Sequence, residues 1–174
     1  MNNFTKRERE RERTPRSAAE IMADMKMAIS SSKANHIGEY TTENSTIFSQ
    51  SMAYQHVFIT AIGGINGAVD IAEMEESKEG YENLIEAIDS TKNMSHSTTW
   101  SDFFEDGEKH DVLKVVRLFR DEIEKGFADG KINENTKNNG IEIADKLKET
   151  YTKLRDLGKE LEMAIGKNTT AITR

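Results

Sequence analysis

The stretch from Glu105 to Asp111 holds the densest group of side chains that can bind a metal or move a proton. Asp106 and His110 would share one helix face as i and i+4 ligands only if Gly107 were helical. Carboxylates also stabilise the start of a following helix, whose free backbone N–H groups carry partial positive charge. We therefore interpret this stretch as a solvated acidic loop that caps the next helix.

The other residue types give catalysis no starting point. The sequence contains neither His-Glu-x-x-His nor Glu-x-x-His, the spacings on which helical zinc and di-iron sites are built. It has no cysteine, which excludes disulfides, thiolate chemistry and Cys-bound metals. No Gly-x-Ser-x-Gly elbow presents a serine nucleophile. We expect a non-enzymatic protein that holds no metal or cofactor and acts on no small-molecule substrate.

Two glycine motifs near residue 130 resemble ligand-binding loops but lack the ligands. With Gly130 at the central glycine of an EF-hand loop, Asp129 is the only carboxylate placed to hold a cation. As a phosphate loop, Gly126 to Lys131 is one residue short between its glycines, and Ile132 replaces the magnesium-binding Ser or Thr. We interpret the segment as a turn.

Composition predicts an all-α fold. Apolar residues make up 36% and charged residues 32% of the chain, so the core is thin. Pro15 is the only proline, whereas turn-rich β folds need many chain-breaking residues. We predict an elongated bundle of about five helices, preceded by a disordered charged arm. The predicted division is residues 1–13 as the arm, 14–166 as the helical bundle domain and 167–174 as a flexible tail.

The first 16 residues are basic and the rest of the chain is acidic. Six Lys and Arg side chains oppose three glutamates there, so this part carries +3 of a net charge of −7, which leaves −10 beyond it. The alternating charges over residues 6–13 include no apolar side chain to bury, so we interpret them as a solvated tail or an electrostatic arm. As a nucleic-acid contact, the arm would use Arg7, Arg9, Arg11, Arg13 and Arg16.

Apolar spacing indicates the first two helices. One begins at Thr14-Pro15 or at the alternative capping box from Ser17 to Glu20. A second begins near Asn44-Ser45 and carries a heptad-like seam with four- and three-residue steps. The predicted apolar faces are Ala18, Met22, Met25 and Ile29 on the first helix, and Ile47, Ser51, Tyr54, Phe58, Ala61, Ile65, Ala68 and Ala72 on the second.

Gly63, Gly64 and Gly67 interrupt the second seam. Each glycine costs about 1 kcal/mol in a helix interior, so either the helix breaks there or another backbone approaches closely. We predict close approach, which the Gly-x-x-x-Gly spacing permits. The apolar segment Val57–Ala72 is too short and too interrupted by polar residues to predict a membrane span.

Three further helices complete the predicted bundle. The third uses Tyr81, Leu84, Ile85 and Ile88 and ends near Asn93. The fourth covers residues 111–128, has the stripe Val112, Val115, Val116, Phe119, Ile123 and Phe127, and ends at Gly130. The fifth begins after Asn138-Asn139-Gly140 and has the most regular heptad, Ala144, Leu147, Tyr151, Leu154, Gly158, Leu161 and Ile165. That stripe is suited to an antiparallel bundle or to an intermolecular coiled coil.

Two groups of apolar residues are the candidate protein interface. Trp100, Phe103 and Phe104 would share one helical turn, which either covers the core or docks a partner. The heptad residues that a coiled coil would use are Leu147, Tyr151, Leu154, Leu161 and Ile165.

These features favour a helical interaction or assembly protein that packs against copies of itself or a protein partner. Small helical chains with charged arms are also typical of viral and phage accessory or virion proteins, so we expect a cytoplasmic or virion location. Two alternatives stay open: a nucleic-acid-associated protein that uses the arm, and an acidic inhibitor that occupies a basic groove on a partner enzyme.

The nucleic-acid alternative makes a salt-dependent prediction. If the arginines of the arm contact phosphates, affinity for a duplex falls steeply with salt, because each neutralised phosphate releases a counterion. Deleting residues 1–13 then abolishes binding in a filter or gel-shift titration. Equal retention of nucleic acid by the truncated and full-length proteins contradicts the hypothesis.

Overall fold

The computed structural model describes residues 16–40, 45–95 and 108–173. Five long helices make up most of this part of the chain: α1 (Ala18–Ser30), α3 (Ser45–Glu75), α4 (Lys78–Ser90), α5 (Val112–Ala128) and α6 (Glu134–Thr173). A 3₁₀ turn (Ala34–His36) and the short α2 (Ile37–Tyr40) connect α1 toward α3. Strands β1 (Met94–Ser95) and β2 (Lys109–His110) form one small antiparallel ladder. The predicted all-α bundle is confirmed.

The long helices occupy four positions around the core. Helices α4 and α5 together occupy one of these positions. Helices α3 and α6 lie across the core from each other, and both pack against α1 on one side and against α4 and α5 on the other. Thr91, at the end of α4, accepts a hydrogen bond from the backbone N–H of Val112 at the start of α5 (2.8 Å). The two shorter helices therefore follow each other end to end along the longer ones.

The core has two adjoining clusters. One joins α5 to the first halves of α3 and α6, with Phe58, Phe119 and Tyr151 at its centre. The ring centroids of Phe58 and Phe119 are 5.8 Å apart in an edge-on arrangement that aromatic pairs favour. The other cluster joins α1 and α4 to the second halves of α3 and α6, around Ile65 and Leu154.

Several helix starts have a local cause that the sequence shows. The capping box of Ser17 and Glu20 begins α1, so the alternative start is the one adopted, while Thr14 and Pro15 lie outside the described residues. Asp111 caps α5, its carboxylate accepting the Leu113 N–H at 2.8 Å, as expected for the acidic stretch. Gly130 has a φ of +73° in the turn after α5, where glycine is favoured.

Two predicted boundaries of α6 differ from the structure. The helix begins at Glu134 rather than after Gly140, because the Asn133 side chain accepts the Thr136 N–H (2.8 Å) and caps it earlier. Its backbone continues through residues 167–173, where we expected a tail. That stretch contains no proline, so no residue in it lacks the N–H that the helix needs.

The close approach predicted at Gly63, Gly64 and Gly67 is not made among the described residues, and three other glycines are in close contact with isoleucine side chains instead. A Cβ on Gly140 would lie 2.5 Å from Ile123 Cδ1, and one on Gly126 would lie 2.9 Å from Ile47 Cδ1. Gly158 similarly faces Ile88. These glycines let α5 approach α3 and α6 closely, and α4 approach α6.

The helix joint between α4 and α5 is held by a charged hydrogen-bond network. Arg155 of α6 donates to both carboxylate oxygens of Asp111, at 2.6 and 3.1 Å, and to the Thr91 hydroxyl at 3.4 Å. Burial disfavours the charged Asp111 carboxylate, but the hydrogen bonds from Arg155 and from the Leu113 backbone outweigh it and lower the pKa of Asp111. Arg155 thus joins three helices, through an ion pair to the start of α5 and a hydrogen bond to the end of α4.

We predict opposite effects of alanine at two helical glycines. Gly140→Ala should destabilise the fold by about 1–3 kcal/mol, because the new methyl overlaps Ile123. Gly64→Ala should stabilise it by about 0.5–1 kcal/mol, because alanine favours the helix and the new Cβ meets no described atom within 4 Å. Urea titrations followed by circular dichroism measure both; effects of the same sign contradict the packing.

We also predict a pH-dependent contribution from Asp111. Its folded pKa lies below the ordinary 3.8, so the contribution is complete above that value and is lost as pH falls through the folded pKa. Asp111→Asn should lower stability at pH 7 by about 1 kcal/mol, because the carboxylate is 38% exposed and solvent weakens its pair with Arg155, and the deficit should shrink as pH falls below about 5. The control is Asp145→Asn, which removes the exposed pair with Arg120 and should cost less than about 0.5 kcal/mol. A deficit that does not change with pH contradicts the assignment.

Candidate protein interface

The heptad residues of α6 lie inside the chain's own bundle. Leu147, Tyr151, Leu154 and Leu161 have at most 1% of their surface exposed, and Ile165 packs partly buried against the second core cluster. The Tyr151 hydroxyl donates to the Phe58 carbonyl across the core at 2.8 Å, and burial raises the pKa of this phenol. The stripe is therefore covered by α1, α3, α4 and α5, as the bundle alternative expects.

Only one of the five arginines predicted to contact nucleic acid, Arg16, lies among the described residues. Arg7, Arg9, Arg11 and Arg13 lie outside them, as do Trp100, Phe103 and Phe104. Arg16 is described, and its guanidinium donates to Glu160 of α6 at 2.7 and 2.8 Å and to Asp24 of α1. The hydrogen bond from Arg16 lowers the pKa of Glu160. In this arrangement Arg16 ties the start of α1 to α6.

The acidic stretch is described only from Glu108 onward. His110 is 7% exposed, and its Nε2 lies 3.3 Å from a carboxylate oxygen of Glu108. Asp111 is occupied by its cap and by Arg155. Among the described residues, no group of three or more His, Asp and Glu side chains is arranged to hold a metal ion.

The outer face of α3 carries apolar side chains that the bundle does not cover. Ile59 and Ile71 are 38% and 49% exposed, and Met74 is 82% exposed. Ile59, Gly63, Gly67 and Ile71 follow one another at four-residue intervals, so they form one ridge along the helix. We call these four residues the α3 outer row. It lies on the corner of the bundle that points away from α6.

The glycines of this row have no close neighbour among the described residues. A Cβ on Gly63, Gly64 or Gly67 would meet nothing within 4 Å in that part of the chain, so the predicted close approach is not made there. The helix is nevertheless continuous from Ser45 to Glu75. The row therefore has a shallow notch at its centre, where two glycines expose the backbone between two isoleucines. Another helix can approach the backbone closely at this notch.

Helix α3 is the most apolar long helix among the described residues. The segment Ser49–Glu75 is long and apolar enough to cross a membrane by length and composition alone, with a mean hydropathy of 1.3 in its most apolar window. Only 39% of that window is buried in the bundle. Core helices of soluble proteins pass the same test, so it does not define a span.

The seam predicted for α3 does not include this row, because that seam follows only the buried face. A signal was present: between residues 57 and 72 apolar and small residues occur all around the helix, whereas a surface helix needs them on one side. Phe127 shows the reverse error. It was predicted in the α5 stripe but is 37% exposed, and its ring lies under the Lys137 ammonium, which is 4.4 Å from the centroid.

Comparison with known proteins adds no relative to this description. No family model, no curated protein and no solved structure matches the chain.

Proposed function

We propose that this chain is a non-enzymatic helical interaction and assembly protein that receives a partner helix on the outer row of α3. The observation that carries the proposal is the exposure of Ile59, Ile71 and Met74 beside Gly63 and Gly67. Scattered apolar side chains are ordinary on a protein surface, but these share one face of one helix.

The energetics of α3 support an external contact. Each exposed glycine costs the helix about 1 kcal/mol relative to alanine, and no contact among the described residues offsets that cost. By contrast, Gly126, Gly140 and Gly158 are each filled by a neighbouring side chain. A docking helix would pack against Gly63 and Gly67 in the same way, in the space that a Cβ would otherwise fill.

The α6 heptad does not compete for this role in the folded chain. Its side chains fill the core, and exposing them would separate α1, α4 and α5 from α6. The outer row can bind without unfolding, because its side chains are already at the surface. A partner helix could therefore dock on the outer row while the bundle stays folded.

Photo-cross-linking tests the proposal. A photoreactive amino acid replacing Ile71 in the full chain should form cross-links to a protein helix, from either a second copy or another chain of the source cell. One replacing Met163, which is 59% exposed on α6, should form far fewer. Adding Met74→Lys to the reactive chain should reduce the first yield at least fivefold while the melting temperature changes little, since exposed substitutions usually stay within about 0.5 kcal/mol.

The matched control substitution is Met27→Lys, which changes the charge equally at an exposed methionine of α1 (70%). It should leave the cross-links from position 71 unchanged. Equal yields from positions 71 and 163, or equal effects of the two lysines, contradict an interface at the outer row.

A further inference from the structure

We infer that the occupant of the α3 outer row is a second copy of this chain, crossing antiparallel at Gly63 and Gly67. This inference rests on the proposed function and adds the identity and direction of the partner. It depends on three features of the row: its symmetry, its charges and its position on the bundle.

The row is self-complementary. Its order, Ile59, Gly63, Gly67 and Ile71, is the same read in either direction. Ridges with four-residue spacing on two helices align when the helices cross at about −50°. A two-fold antiparallel crossing then places Gly63 beside Gly67 of the second copy, and Ile59 beside Ile71 of the second copy. A two-fold interface needs such a self-matching patch.

The charges along α3 select the antiparallel direction. Residues 45–69 contain no Asp or Glu, whereas Asp70, Glu73 and Glu75 lie near the end of the helix. Lys26 of α1 pairs with Glu73 (2.8 Å), so Asp70 and Glu75 carry most of the difference between the two halves. A parallel pair would bring the two acidic ends together, and like charges at close range repel. The antiparallel pair separates these ends.

The position of the row permits the crossing. Helix α3 occupies a corner, with α1 and α4 at its sides and α6 across the core, so the row points outward. The row and Met74 span about four turns of a helix that is about 46 Å long for its 31 residues. This contact is smaller than a standard interface of roughly 800 Å² per partner, so we expect dissociation in the micromolar range, roughly 1–100 μM.

The first arm of the test measures association of the full chain by sedimentation equilibrium. The wild type should form dimers with micromolar dissociation. Gly67→Leu should weaken the dimer at least tenfold, because a leucine prevents the helices from approaching. Gly166→Leu is the matched control: a Cβ there also meets nothing within 4 Å among the described residues, but the position lies on α6, away from the outer row, and the substitution should weaken the dimer less than twofold. Circular dichroism confirms that both variants fold.

The second arm measures direction, for which the cysteine-free chain is convenient. Ile59→Cys and Ile71→Cys proteins are prepared separately, mixed and treated with a short bis-maleimide. The antiparallel dimer should give mainly the mixed 59–71 product by mass spectrometry. Dominant 59–59 and 71–71 products overturn the antiparallel arrangement.

The remaining outcomes separate this inference from the proposed function. A monomer at all concentrations overturns the dimer, and cross-links from position 71 to a different protein would leave the proposed function standing. A dimer that Gly67→Leu does not weaken overturns the location. A monomer that binds phosphatidylcholine vesicles through α3, with no protein cross-link, overturns both.

Discussion

Burial of the apolar stripe of α6 is the interaction on which the rest of the bundle depends. Helices α1, α4 and α5 all pack against this one helix, and its central leucines are fully buried between them. The stripe is continuous over more turns than α4 or α5 can cover. Those two helices must therefore follow each other along it, and the ion pair between Arg155 and Asp111 lies where they meet.

The same constraint explains the two kinds of glycine. Where α5 crowds against α3 and α6, and α4 against α6, the contact leaves no room for a methyl group, and Gly126, Gly140 and Gly158 occur there. Helix α3 carries the other kind, Gly63, Gly64 and Gly67, outside the core. Glycine has one physical property in both places, the absence of a Cβ, and the tertiary environment decides whether that absence serves internal packing or an open surface.

Much of the fold followed from periodicity and local capping. The stripes of α5 and α6, the box of Ser17 with Glu20 and the cap at Asp111 rest on residues within a turn or two of each other, so sequence spacing contains the information. The start of α6 was misplaced because the Asn138-Asn139-Gly140 run looked like a break. In the structure Asn133 caps the helix earlier, and Gly140 is retained because Ile123 fills its place.

The candidate interface shows where sequence reasoning stopped. The sequence alone determined that the chain folds as helices with apolar faces, since those faces arise from the fixed period of 3.6 residues. It could not determine which faces were left over, because that depends on how many neighbours each helix has in three dimensions. Only the tertiary structure showed that the α6 stripe is used up in the core while the glycine row of α3, at a corner without a covering helix among the described residues, stays open.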